Sequence, residues 1–257
     1  MFNSLIFRRA LIARVASLTL VAILIAFGAT AASAQQKGPM DEKAGQILQG
    51  MSDYLSKAQS VSFRARSFFD QVRDSGIKIK RARQGHIHLM RPDKLYVESV
   101  FEDGAARTTW FDGSKLTVWD RQVNQVRTLD FKGSTDKLIV HLEDKHKVNL
   151  PLADLLFSDV GKALKDTIIS SEYLGIRTVN GVKCHQLSFE STGADWQIWI
   201  EADSTPLPRR FVITYVADKG EPQFMAQLDQ WSIGAEAADS MFKAGVPDSV
   251  KNVPFGK

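Results

Sequence analysis

The chain has 257 residues, of which 44% are hydrophobic and 24% are charged, a composition typical of a soluble globular protein. Its formal net charge of +4 depends on the N-terminus, because residues 1–34 carry three arginines and no acidic residue. Without them, the 33 basic residues become 30 and face 29 acidic ones. A nearly neutral domain lacks the electrostatic footprint of nucleic-acid binding, so we predict no nucleic-acid partner.

Residues 1–34 have the pattern of a secretory signal peptide. Three arginines precede an apolar stretch, Leu18–Phe27, which leads to the small-residue sequence Ala32-Ser33-Ala34. The alternative is a permanent membrane anchor, but the apolar stretch is shorter than the ~20 residues that span a bilayer. We therefore predict cleavage after Ala34, export of the mature chain and one domain over residues 35–257.

The single cysteine, Cys184, excludes an intramolecular disulfide, and no cysteine follows the predicted cleavage site to accept a lipid. The stability of the exported domain must therefore come from its own apolar core. Cys184 lies in the strand-like sequence GVKCHQLSF, which favours a buried structural thiol over a nucleophile.

The hydrophobic pattern changes its period twice along the mature chain. Residues 41–58 have the apolar spacing of a helix, and from Val61 onward six segments alternate as strands do. Residues 134–147 then predict a second helix, and Pro151 begins a third. Five more strands are predicted in the last third. Dipeptides such as Asn180-Gly181 are tight-turn signals and favour antiparallel pairing of neighbouring strands.

Strand twist makes a sheet of this size curl, since about eleven strands do not remain flat. The few helical segments are available to cover one face of that sheet. The sequence therefore predicts a mainly β fold with α-helices. Its form is a strongly curved antiparallel sheet, or incomplete β-barrel, of about eleven strands with helices over the concave face.

Two segments carry a resemblance to a known family. The sequence RQGHIHLMRPDKLYVE, residues 83–98, is followed by TTWFDGSKLTVWDRQVNQV, residues 108–126, and together they resemble the LolA/LolB-like superfamily of periplasmic lipoprotein carriers. In that family a strand ends in Arg-Pro, the next strand starts at once, and an Asp-Gly-Lys-type turn precedes an apolar strand. The element order and the ending DSMFKAGVPDSV are also similar. The chain looks closest to an uncharacterised branch of predicted periplasmic proteins.

Arg91 lies at the Arg-Pro position of this motif. Pro92 lacks an N–H donor and marks the end of a strand. Arg91 shares the parity of Ile87 and Leu89. If the side chains of this parity face the concave side, Arg91 lies at the rim of an apolar hollow, where its five donors can reach carbonyl groups of a covering segment. The resemblance implies that Arg91 holds a lid over a lipid cavity. Periodicity alone favours an edge arginine in a surface salt bridge.

Apolar side chains that share one strand face, or lie on the helical insertion, are the candidate lining of that cavity. A hollow of this kind favours acyl chains, at roughly 0.8 kcal/mol per buried methylene. The alternative is that the same residues form a filled core, and periodicity does not distinguish the two. With Arg91, the predicted ligand-binding residues are Leu89, Leu95, Val97, Phe101, Leu116, Val118, Leu138, Leu142, Trp196, Ile198, Phe211 and Ile213.

Other chemistries have weaker support. His86 and His88 share a strand face at a spacing that can chelate zinc, but a metal site needs a third ligand, and we predict neither a metal nor a cofactor. No nucleophile elbow or phosphate-binding glycine loop occurs. The basic segment Lys78–Arg83 is interpreted as a solvated outer surface.

These observations and the resemblance predict a periplasmic, non-enzymatic protein that binds an acyl chain, a lipid or a lipoprotein, as a carrier or as a sensor. The predicted partners are a lipid or an acylated lipoprotein, with a membrane-protein donor, acceptor or regulator. Two alternatives are a regulatory sensor domain that binds a membrane protein, and a metal-dependent hydrolase that uses His86 and His88.

Overall fold

The computed structural model describes residues 40–148, 150–165 and 167–255. The predicted signal peptide and its cleavage after Ala34 lie outside these residues. Within these described residues, twelve strands form one sheet. In chain order they are β1 Ser60–Val72, β2 Lys78–Met90, β3 Lys94–Phe101, β4 Ala106–Phe111, β5 Lys115–Asp120, β6 Gln125–Asp130, β7 Ile168–Val179, β8 Val182–Ser191, β9 Asp195–Glu201, β10 Pro208–Thr214, β11 Gln223–Ile233 and β12 Lys251–Pro254.

The strand order across the sheet is β12-β6-β5-β4-β3-β2-β1-β11-β10-β9-β8-β7. Neighbours pair antiparallel except β12, which runs parallel to β6. The outer strands β12 and β7 do not pair with each other, so the barrel is open. The predicted fold class is confirmed, with twelve strands in place of about eleven. The additional strand, β12, has four residues and ends in proline, too little pattern for a prediction from sequence.

Among the residues that the structure describes, three α-helices and two 3₁₀ turns accompany the sheet. The helices are α1 Glu42–Ser56, α2 Thr135–His146 and α3 Val160–Lys165, and the turns are Ala153–Leu156 and Asp239–Phe242. The prediction of one helix starting at Pro151 is wrong, because the segment forms the turn Ala153–Leu156 and the separate helix α3. Phe157 is extended, with φ −61° and ψ 151°, and Asp159 accepts a hydrogen bond from the amide of Lys162 at 2.9 Å, which begins α3 separately.

Asp41 fixes the start of α1 against the edge of the sheet. Its carboxylate accepts hydrogen bonds from the amide of Ala44 in the helix, at 3.0 Å, and from that of Tyr173 on β7, at 3.1 Å. These two bonds lower the pKa of Asp41. The helix then packs on α3 and on β7–β9. Ser52 Oγ accepts from the amide of Gly161 at 2.6 Å, a close approach that a Cβ at Gly161 would obstruct.

No helix among the described residues is both long enough and apolar enough to cross a lipid bilayer.

Candidate ligand-binding cavity

Cross-strand register sorts the inward-facing side chains of β1–β5 into rows. The first row is apolar and buried, and the second is apolar with one threonine. The third begins with three small residues and ends with an arginine. The rows are Val61-Leu89-Leu95-Phe111-Leu116, Phe63-Ile87-Val97-Thr109-Val118 and Ala65-Gly85-Ser99-Arg107.

The small residues of the third row leave space between the sheet and the segments above it. This hollow has a volume of about 240 Å³. A Cβ at Gly85 would meet its nearest neighbour, the carbonyl oxygen of Glu98, at 3.4 Å, an ordinary contact. An alanine at position 85 would therefore not clash with its neighbours, and the absence of a side chain at Gly85 adds to the open space of the hollow. The strands line it with Phe63, Ala65, Ser67, Arg83, Gly85, Ile87, Leu95, Val97, Ser99, Arg107, Thr109, Leu116 and Val118.

The opposite wall, here called the cover, consists of α2, Val148 and residues 150–156. Nine cover side chains line the hollow, and Phe255 adds one from the C-terminal segment. Leu152 has φ 73°, a left-handed conformation that is uncommon for a leucine. The cover residues that line the hollow are Leu138, Ile139, Leu142, Val148, Leu150, Pro151, Leu152, Ala153 and Leu156.

Arg91 joins the cover to the end of α1. Its Nε donates to the carbonyl of Ala58 at 3.1 Å, and its Nη1 donates to the carbonyl of Leu156 at 2.9 Å. The Nη2 atom is buried without a hydrogen-bond partner among the described residues. Burial lowers the pKa of Arg91, and the Asp136 carboxylate opposes that change. Its side chain thus bridges two segments instead of forming a surface salt bridge.

Two further contacts hold the cover near this point. The amide of Thr135, at the start of α2, donates to the carbonyl of Pro92 at 2.8 Å. The Asp136 carboxylate accepts from the amide of Ser158 at 3.1 Å and from its hydroxyl at 2.5 Å. The fastenings thus cluster around the Arg91-Pro92 end of β2.

Two arginines lie at the other end of the hollow. Arg83 and Arg107 both line it, and Arg107 pairs with Asp120 at 3.0 Å. The interpretation of the segment ending at Arg83 as a solvated outer surface is wrong for Arg83, which faces the concave side. Alternation along β2 predicts this once the inward parity of Ile87 is fixed, because Arg83 shares that parity.

The predicted ligand-binding residues fall into two groups in the structure. Leu95, Val97, Leu116, Val118, Leu138 and Leu142 line the hollow. Leu89 is buried in the adjoining core, and Phe101 lies half-buried at the end of β3, with the guanidinium of Arg107 at 5.8 Å from its ring centre.

Trp196, Ile198, Phe211 and Ile213 are buried in the core on β9 and β10, away from the lining of the hollow. Trp196 stacks on Phe189, with ring centres 4.0 Å apart, and on Phe211, at 5.5 Å. Which of all these side chains contact a ligand stays a prediction.

His86 and His88 lie on the convex face of the sheet. His88 packs against Tyr96, with ring centres 5.9 Å apart, and His86 lies beside Gln84. Burial lowers the pKa of His88. Within residues 40–148, 150–165 and 167–255, no group of three or more His, Cys, Asp or Glu side chains is arranged to hold a metal ion.

The profile of one protein family matches residues 44–256, and the chain therefore belongs to that family, described as predicted periplasmic protein (DUF2092). The match confirms the expected branch of predicted periplasmic proteins. No curated protein matches the chain in sequence.

Several solved structures are similar in fold at low sequence identity. An uncharacterized conserved protein from Thermus thermophilus is 10% identical, over 83% of this chain and 100% of that chain, with a TM-score of 0.47. The lipoprotein LppX of Mycobacterium tuberculosis is 14% identical, over 77% and 98%, with a TM-score of 0.45. A LolA superfamily protein from Nitrosomonas europaea is 11% identical, over 78% and 97%, with a TM-score of 0.38. Similarity at this level assigns neither a ligand nor a partner to this chain.

Proposed function

We propose that the protein is a non-enzymatic periplasmic binding protein that encloses the acyl chain of a lipid or of an acylated lipoprotein in the hollow. The observation that carries this proposal is the hollow itself, which has mainly apolar side chains on both the sheet wall and the cover. An acyl chain transferred there from water gains roughly 0.8 kcal/mol for each buried methylene.

The size of the hollow supports a movable cover. Its volume of about 240 Å³ is below the roughly 300–1,000 Å³ that is usual for small-molecule sites. A long acyl chain therefore requires the cover to move away from the sheet. The left-handed backbone at Leu152 gives the cover a point at which its conformation can change.

Arg91 supports the same proposal, because its two hydrogen bonds link the cover to the end of α1. The empty protein then holds its cover through Arg91, and ligand entry replaces this link by apolar contacts. A membrane-protein donor or acceptor is a proposed partner of such a carrier, and a membrane-protein regulator is the proposed partner of a sensor.

The first test is native mass spectrometry of residues 35–257 purified from a bacterial periplasm, followed by organic extraction and lipid analysis. A co-purifying acyl species supports the proposal. A protein that is ligand-free and also excludes added fatty acid and lipopeptide contradicts it, and the regulatory sensor becomes the better hypothesis.

Replacement of Arg91 by leucine tests the cover. We expect the empty protein to take up a fatty acid about tenfold faster, because the hydrogen bonds to Leu156 and Ala58 no longer hold its cover closed. The melting temperature should change little, since the leucine also removes a partly buried charge. Arg91→Lys, which keeps a charge without the planar fork, is the control and should lie between. Strong thermal destabilisation with an unchanged rate of uptake would mean that Arg91 is purely structural.

A further inference from the structure

The polar end of the hollow contains a cation, Arg83, that forms an ion pair with none of the described carboxylates. The Arg83 side chain lines the hollow, yet within the described part of the chain it makes no side-chain hydrogen bond and no ion pair. Arg107, on the same wall, is already paired with Asp120. Burial and the positive charge of Arg107 both lower the pKa of Arg83. A guanidinium nevertheless remains protonated in proteins, so a positive charge persists there.

Arg83 also borders a second space, here called the outer hollow, of about 200 Å³. The two spaces share Arg83 and Pro151, so Arg83 stands where they adjoin. Among the described residues that line the outer hollow, Asp70 supplies the one carboxylate, which is already bound by Lys80 Nζ at 2.8 Å and by the amide of Gln223 at 2.9 Å. The remaining lining residues are Phe69, Tyr215, Pro222, Gln223 and Phe224.

The two arginines near the ends of β2 therefore differ in kind. Arg91 directly follows β2, lies outside the lining of the hollow, and uses its donors on carbonyl groups of the protein. Arg83 lies eight residues earlier, on β2, roughly 26 Å away at about 3.3 Å per residue. An amphiphile placed between them has a charged site at the Arg83 end and apolar walls toward Arg91.

We propose that the ligand is an anionic amphiphile whose carboxylate or phosphate headgroup binds Arg83, with Arg107 as a second cation, while its acyl chain lies in the hollow toward Arg91. This inference rests on the proposed function, because it assumes that an acyl chain occupies the hollow. A planar guanidinium with five donors matches both carboxylate and phosphate oxygens.

The test compares three probes with the same alkyl chain: dodecanoate, dodecyl phosphate and dodecanol. Their affinities for the mature protein are measured by calorimetry below the micelle concentration. We expect at least one of the anions to bind about tenfold or more tightly than the alcohol, which corresponds to about 1.4 kcal/mol. The tighter of the two anions identifies a carboxylate or a phosphate as the preferred headgroup.

Arg83→Gln should remove this preference, bringing the anion to the affinity of dodecanol and leaving dodecanol unchanged. Arg83→Lys should retain part of the preference. The matched control is Arg81→Gln, which makes the same change of charge on the same strand at a residue that contacts Gln71 and Glu102 and lines neither hollow. It should bind all three probes as the wild type does.

The outcomes separate the two proposals. If the wild type binds the alcohol and the anions equally, acyl binding stands and the headgroup inference is overturned. If Arg83→Gln weakens all three probes alike, Arg83 is structural and the inference is again overturned. If the wild type binds none of the probes, the proposed function itself fails.

Discussion

The two halves of the sheet use the same strand pattern with opposite results. In the half of the sheet on which α1 packs, strands β7–β10 carry large inward side chains, and the stacked rings of Phe189, Trp196 and Phe211 fill the space. Under the cover, strands β1–β5 place Ala65, Gly85 and Ser99 side by side, and the space remains open. Alternation predicts which side chains face inward, whereas their summed volume decides whether a half is filled.

The largest effect that tests this comparison comes from one substitution made in both places. Ala226 on β11 is 0% exposed in the packed core, and Ala65 on β1 is 3% exposed at the hollow. We expect Ala226→Leu to lower the free energy of unfolding by about 1–3 kcal/mol, because the added atoms find no space. Ala65→Leu should stay within about 1 kcal/mol of the wild type, since its new methylenes are buried in existing space.

Urea denaturation measures both free energies of unfolding. Ala65→Leu should also shorten the longest fatty acid that the protein binds, which a chain-length series can show. Equal destabilisation by the two variants would mean that the hollow closes in solution.

A smaller effect concerns the seam between the halves, where β1 pairs with β11. Arg64 donates to the Asp229 carboxylate at 2.7 Å and 2.9 Å, and these hydrogen bonds lower the pKa of Asp229. We expect Asp229→Asn to lower the free energy of unfolding by about 0.5–1 kcal/mol at neutral pH.

The pH dependence of that difference has a definite sign. A carboxylate with a lowered folded-state pKa stabilises the protein above its unfolded-state pKa of about 3.9, and this contribution is lost as the pH falls through the folded-state value. The wild type and Asp229→Asn should therefore converge in acid. Asp130→Asn is the control, since the pair of Lys115 and Asp130 is 3.6 Å apart and its side chains are 52% and 89% exposed. A difference that persists in acid would assign the effect to packing.

The last prediction is that the alkylation rate of Cys184 does not change when the cover is loosened. Cys184 on β8 is 0% exposed, and burial raises its pKa to about 11, so the group stays an unreactive thiol at neutral pH. Because Cys184 lies in the half without a cover, its alkylation rate should be the same in the wild type and in Arg91→Leu. Mass spectrometry of the adduct measures the rate. Faster alkylation in Arg91→Leu would show that opening of the cover loosens both halves.

Strong periodicity explains why most of the fold could be predicted from the sequence. Eleven strands and the helices α1 and α2 have long, regular patterns with clear caps and turns. The split after Leu156 was missed because the bonds of Ser158 to Asp136 are tertiary, and the one local signal, the cap residue Asp159, lay inside the predicted helix. β12 was missed because four residues carry too little pattern.

The candidate site could be predicted only in part, for a related reason. The parity of Leu95, Val97, Leu116 and Val118 follows from alternation, and the structure places all four at the hollow. The sequence did not separate them from Trp196 or Phe211, because the depth of a cavity depends on which helix lies above each strand. Arg83 was predicted on the outer surface because the whole basic segment Lys78–Arg83 was interpreted together, without regard to the face on which each side chain lies.

The open barrel also bears on self-association, since an unclosed sheet has two edges on which another chain can add a strand. One edge is β12, which is four residues long and ends in proline. The other, β7, has two register irregularities and a glycine with φ 92°, and the carboxylate of Asp41 occupies the amide of Tyr173. Such short, bent or covered edges oppose the growth of intermolecular sheets. The protein can thus keep an open barrel without offering a template for fibres.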